Sequence, residues 1–132
     1  MTSSVSVVAQ TTKGTIIRIE VRGEWPDGHG NELAELVAAA LVAHDPHACV
    51  IDLCETKGPL RADTLGGLLL VLARKREGVT RPACIVAGGN IARGVRWFLG
   101  AARASRFSDV ALFADIESAL DHLRRREDPA TA

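Results

Sequence analysis

Cys49-Val50-Ile51-Asp52-Leu53, followed ten residues on by Asp63-Thr64-Leu65-Gly66-Gly67-Leu68-Leu69-Leu70-Val71-Leu72, is the stretch whose reading decides the fold. Its first part belongs to a run, His47 to Leu53, with apolar residues in succession and no alternation, as expected of a strand buried on both faces. Its second part opens with Asp and Thr, residues favoured at helix starts, and sets Leu65, Leu68, Leu69 and Leu72 on one helical stripe. Strand, loop and helix in that order put a hydroxyl beside the carboxyl end of a buried strand, where open α/β sheets bind their ligands. The helix is expected to run from Asp63 to about Arg76, with Gly78 ending it, and Glu55 to Arg61 to be loop. Gly66 and Gly67 cost up to about 1 kcal/mol each relative to alanine in a helix, which suggests a close approach to the backbone there.

Upstream, Val5-Ser6-Val7-Val8-Ala9 carries a weak strand pattern. Ile17, Ile19 and Val21 alternate with Arg18, Glu20 and Arg22, the period of a strand with one wet face. The polar stretch Gln10 to Gly14 between them reads as a hairpin loop. Gly23 to Gly30 reads as a loop, and Asp27 or Asn31 as the cap of a helix whose stripe is Leu33, Leu36, Val37, Ala40, Leu41 and His44. Asp45-Pro46 stops that helix. Downstream, Pro82 to Ala87 is a second buried strand and Gly88-Gly89 a turn. Asn90 caps a helix with Ile91, Val95, Phe98 and Ala102 on its stripe. Val110 to Phe113 is a last strand, and Asp115 caps a final helix containing Ile116, Ala119, Leu120 and Leu123. Arg124-Arg125-Arg126 falls at its C-terminal end, where cations complement the helix dipole, and the residues after Glu127 read as a frayed tail. The order is ββαβαβαβα: an α/β chain with a mixed sheet, its last three strands parallel through right-handed crossovers.

A chain of 132 residues is the length of one domain. Sixteen Lys and Arg balance sixteen Asp and Glu, which argues against direct nucleic-acid binding, since that requires a net basic face. There is no window of about 18 uncharged apolar residues, so no membrane insertion is expected. Met1 to Val5 lacks a signal-peptide pattern, and a cytoplasmic location is the expectation. Cys49, Cys54 and Cys84 form no CxxC and read as small residues in or beside strands of a reduced protein.

The element order and several clusters resemble the STAS domain, the family of bacterial anti-sigma factor antagonists. Gly23-Glu24-Trp25 is similar to the family's exit from its second strand, and Val50-Ile51-Asp52-Leu53 to its central strand. Asp63-Thr64-Leu65-Gly66 is similar to the Asp-Ser-x-Gly start of its second helix. Val95 to Leu99, Phe107 and Ala119-Leu120 resemble its third and fourth helices. The resemblance implies a non-enzymatic regulator with no cofactor, whose partner is an anti-sigma factor that is also a serine/threonine kinase. Carried over, Thr64 is the phosphate acceptor, and Arg61, Asp63, Thr64, Leu65, Gly66 and Gly67 form the partner-binding rim. Threonine stands where serine is usual, Arg61-Ala62 stands where bulky apolar residues are usual, and the loop after Cys54 is about three residues longer.

Those departures motivate an alternative, a STAS-like ligand-binding or scaffold module without a phosphoswitch. Gly88-Gly89-Asn90, with Arg93 one turn in, then becomes an anion rim together with Cys54, or else a plain tight turn. Catalysis at Thr64 needs a base. His47 begins the strand whose far end precedes Thr64, roughly 20 Å away at about 3.3 Å per residue. His44, His29 and His122 are no better placed, and the histidines show no metal-ligand spacing. Whether the chain forms a homodimer is left open by the sequence.

Overall fold

The structure is a computed structural model, which describes residues 2–24, 32–58, 60–102 and 110–127. Strand β1 (Thr2–Thr11) turns at Thr12-Lys13 into β2 (Gly14–Glu24), which pairs with it antiparallel. After α1 (Glu32–His44) come β3 (Ala48–Lys57), α2 (Ala62–Leu72), a small hairpin of β4 (Lys75–Arg76) and β5 (Val79–Thr80), β6 (Ala83–Val86), α3 (Gly89–Ala102), β7 (Val110–Phe113) and α4 (Ile116–Glu127). The main sheet has the order β1-β2-β3-β6-β7, and every pairing after the first is parallel. The mixed sheet expected from the element order is therefore present.

Burial follows the sequence pattern closely at the centre. Ala48 to Leu53 are all buried, because β3 lies between β2 and β6 and is covered on both sides. Ile17, Ile19, Val21, Cys49, Ile51, Leu53 and Ile85 face a core completed by α1, α2 and α3. The opposite face is smaller: Ile16, Val50, Cys84 and Val86 pack against Ala119 and Leu123 of α4. Full burial of an Ile, Leu or Val side chain contributes about 1.5–3 kcal/mol, so this double covering of β3 is the main source of cohesion. Asp115 caps α4 as expected, accepting a 2.8 Å hydrogen bond from the Ser118 N–H. Asp45 takes a left-handed φ of 41° just before Pro46 and ends α1.

Four expectations change, the first being the cap of α3, which begins at Gly89 and so has Asn90 as its second residue rather than its cap. α2 stops at Leu72, not near Arg76, and the chain turns back through the β4–β5 hairpin. Glu77 (φ 53°) and Gly78 (φ 82°) both occupy the left-handed region, the requirement of a two-residue type I′ hairpin turn. Gly78 thus serves a turn rather than a helix end. β3 runs on to Lys57, pairing Glu55, Thr56 and Lys57 with Arg22, Gly23 and Glu24, where loop was expected. β1 extends over ten residues rather than the five of its apolar centre. The proposed caps Asp27 and Asn31, the Trp25 and Phe107 matches and the frayed tail lie outside the described residues.

The hairpin yields a direct test by urea denaturation. A non-glycine residue in the left-handed region costs about 1 kcal/mol, so Glu77→Asn is expected to be neutral or to stabilise by a few tenths of a kcal/mol. Gly78→Val is expected to destabilise by about 1 kcal/mol or more. Equal, small effects of both changes would contradict the turn.

Candidate functional site

The carboxyl ends of the parallel strands form one rim of the sheet, and α2 and α3 both begin there. α2 starts after Arg61, which has extended backbone (φ −79°, ψ 151°) and makes no side-chain capping bond. The Leu65 N–H donates to the Arg61 carbonyl at 3.1 Å, and the Thr64 N–H donates to Asp63 Oδ1 at 3.0 Å. Arg61 Nε lies 3.3 Å from Asp63 Oδ1, and both side chains are exposed, so this pair adds little. The first turn packs Thr64 and Leu65 inward and is followed at once by two glycines.

Thr64 does not open α2, as its place beside Asp63 in the sequence suggests, nor does it face solvent. It is the third residue of α2 and only 8% exposed. Leu65 is buried in the core, Gly66 and Gly67 are half-buried, and Arg61 and Asp63 are exposed. A Cβ added at Gly66 would meet Phe98 Cζ at 3.7 Å, an ordinary contact. Nothing in the fold itself therefore requires glycine at 66. Across the rim, Gly88, Gly89, Asn90 and Arg93 are exposed. A cleft of about 480 Å³ is lined by Thr56, Gly58, Gly88, Asn90 and Ile91. It joins the β3–α2 and β6–α3 connections, and its lining includes neither Cys54 nor Arg61. Thr56, buried, donates its hydroxyl to the Leu53 carbonyl at 2.6 Å and closes the end of β3.

Cys54 belongs elsewhere, with a charged cluster on the open part of the α4 face. Arg18 donates from Nε (3.0 Å) and Nη2 (2.5 Å) to Asp52 Oδ2, and from Nη2 to Glu20 Oε2 at 2.6 Å. Asp52 Oδ1 accepts the Cys54 N–H at 3.0 Å. Glu20 Oε1 is buried against Arg22 as an ion pair, off hydrogen-bond geometry. Burial pushes the Asp52 carboxyl upward, but the Cys54 N–H and the Arg18 guanidinium outweigh it and hold the carboxyl below its usual range. Burial and the neighbouring Asp52 push the Cys54 thiol up to about 11, so it is protonated at neutral pH. Beside two carboxylates, Cys54 is a poor member of an anion rim.

Two features escaped the sequence reading. The Arg18–Asp52 pair was legible in principle, since a carboxylate inside an apolar strand requires a partner. Trp97 is 73% exposed; it lies off the Ile91, Val95 and Phe98 stripe, so its helical position already pointed outward. Among the described residues no group of three or more His, Cys, Asp or Glu gathers in a metal-binding arrangement. No helix among them is long and apolar enough to cross a membrane.

No protein-family model and no curated protein matches the sequence. Among solved structures, the chain is similar to an anti-sigma factor antagonist from Mycobacterium paratuberculosis. The two are 22% identical with a TM-score of 0.62, over 92% of this chain and 95% of that one. A protein of the DUF3478 family from Shewanella loihica, with a SpoIIAA-like fold, is 17% identical with a TM-score of 0.48, over 93% and 96% of the two chains. The architecture is thereby that of a STAS-like domain, as the residue clusters implied.

The charged cluster predicts an acid-dependent loss of stability. Because the folded pKa of Asp52 is depressed, its contribution is full above the unfolded value of about 3.9 and fades as pH falls below it. Asp52→Asn should lower stability at pH 7 and make the decline below about pH 4 shallower in thermal melts. Asp45 and Asp115, also depressed, preserve part of that decline. An unchanged acid profile would contradict the role given to this carboxylate.

Proposed function

We propose that this protein is a non-enzymatic regulator of the anti-sigma factor antagonist kind. It binds a cytoplasmic anti-sigma factor with serine/threonine kinase activity through the rim where α2 and α3 begin. Phosphorylation of Thr64 switches that binding. The observation that carries the reading is the uncapped start of α2 on the rim, where Arg61 makes no side-chain capping bond, Thr64 stands in the first turn and Gly66-Gly67 follow it. The likeness to an anti-sigma factor antagonist supports it through the fold.

Burial of Thr64 gives the switch its mechanism. An acceptor that is 8% exposed reaches a kinase only when the first turn opens, and helix ends open at low cost. A phosphate carrying about two negative charges is not taken back among apolar side chains. The modified turn therefore stays open, and Asp63 beside it adds repulsion. The surface offered by Arg61, Asp63, Gly66 and Gly67 is lost with the turn, while the sheet remains folded. Two exposed apolar side chains, Leu70 on α2 and Trp97 on α3, extend the contact along these helices. Aromatic anchors of this type often dominate binding at interfaces.

Incubation with the partner kinase and ATP is expected to add one phosphate, and Thr64→Ala to abolish it. Thr64→Glu should weaken the partner complex and speed hydrogen exchange in residues 62–67 without changing the sheet. Gly66→Ala, which the fold accommodates, stabilises the turn by up to about 1 kcal/mol and should slow phosphorylation about 5-fold. Phosphate at another residue, or phosphorylation unaffected by Gly66→Ala, would overturn the mechanism.

The cleft lined by Thr56, Gly58, Gly88, Asn90 and Ile91 favours a second reading, a ligand-binding module on the same rim. Its volume falls within the range of small-molecule sites. Calorimetric binding of a small anion that is lost in Asn90→Leu, with no phosphorylation by any partner kinase, would select it over the switch.

A further inference from the structure

The zero net charge of the chain is not spread evenly. α1 and α2 both end beside the β4–β5 hairpin, at the opposite end of the sheet from the rim, and a groove of about 290 Å³ lies between their last turns. Leu41, Val42 and Val71 give it an apolar floor, while Arg74, Lys75 and Arg81 stand along it with Asp45. Val42 is 81% exposed, more than any other large apolar side chain among the described residues. A second hollow of about 300 Å³ shares Arg81 and is lined by Lys13, Arg76, Glu77 and Val79 as well. Across the two, five cations (Lys13, Arg74, Lys75, Arg76, Arg81) meet two carboxylates, Asp45 and Glu77.

These cations do two different things. Arg76 Nε (2.9 Å) and Arg81 Nη2 (3.1 Å) both reach Asp45 Oδ1, and Arg81 Nε donates to the Pro46 carbonyl at 2.9 Å. Those bonds tie the hairpin to the end of α1, and two guanidinium groups share one carboxylate. Arg74 and Lys75 are exposed, and their side chains form no ion pair with any described residue. The fold therefore uses one pair of cations and leaves the other facing solvent beside an apolar floor.

We propose that this groove is a second docking surface, which takes an acidic segment of a partner protein with aliphatic side chains set between its carboxylates. Charge complementarity and the floor select that occupant together. Arg74 and Lys75 meet the carboxylates, and Val42 and Val71 meet the aliphatic groups. A small inorganic anion makes no use of the floor. A nucleic-acid strand gains from stacked aromatic rings, and the side chains lining the groove include none. The local excess of positive charge speeds encounter with an acidic segment, and the Arg81 side chain, already fixed by Asp45 and Pro46, costs little further ordering. This surface is separate from the rim and does not depend on the function proposed for it.

The test is a titration of the isotope-labelled full chain with an acetylated and amidated peptide of the pattern Asp-Glu-Leu-Leu-Asp-Glu. Saturable shifts are expected in residues 38–45 and 71–81, weakening as salt is raised, with 61–67 silent. Arg74→Glu combined with Lys75→Glu should weaken binding about 10-fold and leave the melting temperature unchanged. Val42→Ser should weaken it about 3-fold. No saturable binding at millimolar peptide would overturn the proposal, as would equal affinity for a peptide with serine in place of both leucines. Tighter binding of inorganic phosphate or of oligothymidylate at the same residues would also overturn it. So would self-association of the unliganded chain that the double charge reversal abolishes, since the groove would then belong to a second copy.

Discussion

Strand β3 is covered from both sides, and the rest of the molecule is arranged to keep it so. Three helices lie over Cys49, Ile51 and Leu53, while α4 closes over Ala48 and Val50. Two residues beyond Val50, on that second face, the strand carries Asp52, which is buried. A buried carboxylate without a counter-charge would cost several kcal/mol. Arg18, on the neighbouring strand and the same face, grips it from two nitrogens and holds Glu20 as well. The sheet thus changes from an apolar to an ionic face along its length without opening.

The same arrangement sets the site. Because β2, β3, β6 and β7 run parallel, their carboxyl ends share one rim and the following helices start there. β3 continues past the core to Lys57, fastened by its pairing with Arg22 to Glu24 and by the Thr56 hydroxyl. That anchored end delivers the chain to α2. The first turn of α2 therefore stands between the paired end of β3 and the packed body of the helix, with Thr64 and Leu65 turned into the core and Arg61 and Asp63 left outside.

Much of this was legible in the residues, and the exceptions have physical causes. The succession of apolar residues at 49–53 specified a doubly covered strand, and the stripe from Leu33 to Leu41 specified α1. The end of α2 was misread because Arg74, Lys75 and Arg76 are all good helix formers. The apolar stripe nevertheless stops at Leu72, and Lys75 and Arg76 stand where it would have needed its next core residues. Thr64 was misplaced although the stripe was read correctly. Leu65, Leu68, Leu69 and Leu72 are buried as read, and Thr64, four residues before Leu68, falls on the same helical face. The Arg18–Asp52 bond joins residues far apart in sequence, and only the parallel pairing of β2 with β3 brings them together.

If the rim at the start of α2 and α3 is the partner surface proposed above, titration of isotope-labelled protein with an anti-sigma partner, followed through backbone amide resonances, shifts residues 61–67 and 88–94 and leaves the β4–β5 hairpin and the end of α4 unperturbed. Perturbations centred on Lys75 to Thr80 or on the charged face around Arg18, with 61–67 silent, would contradict it.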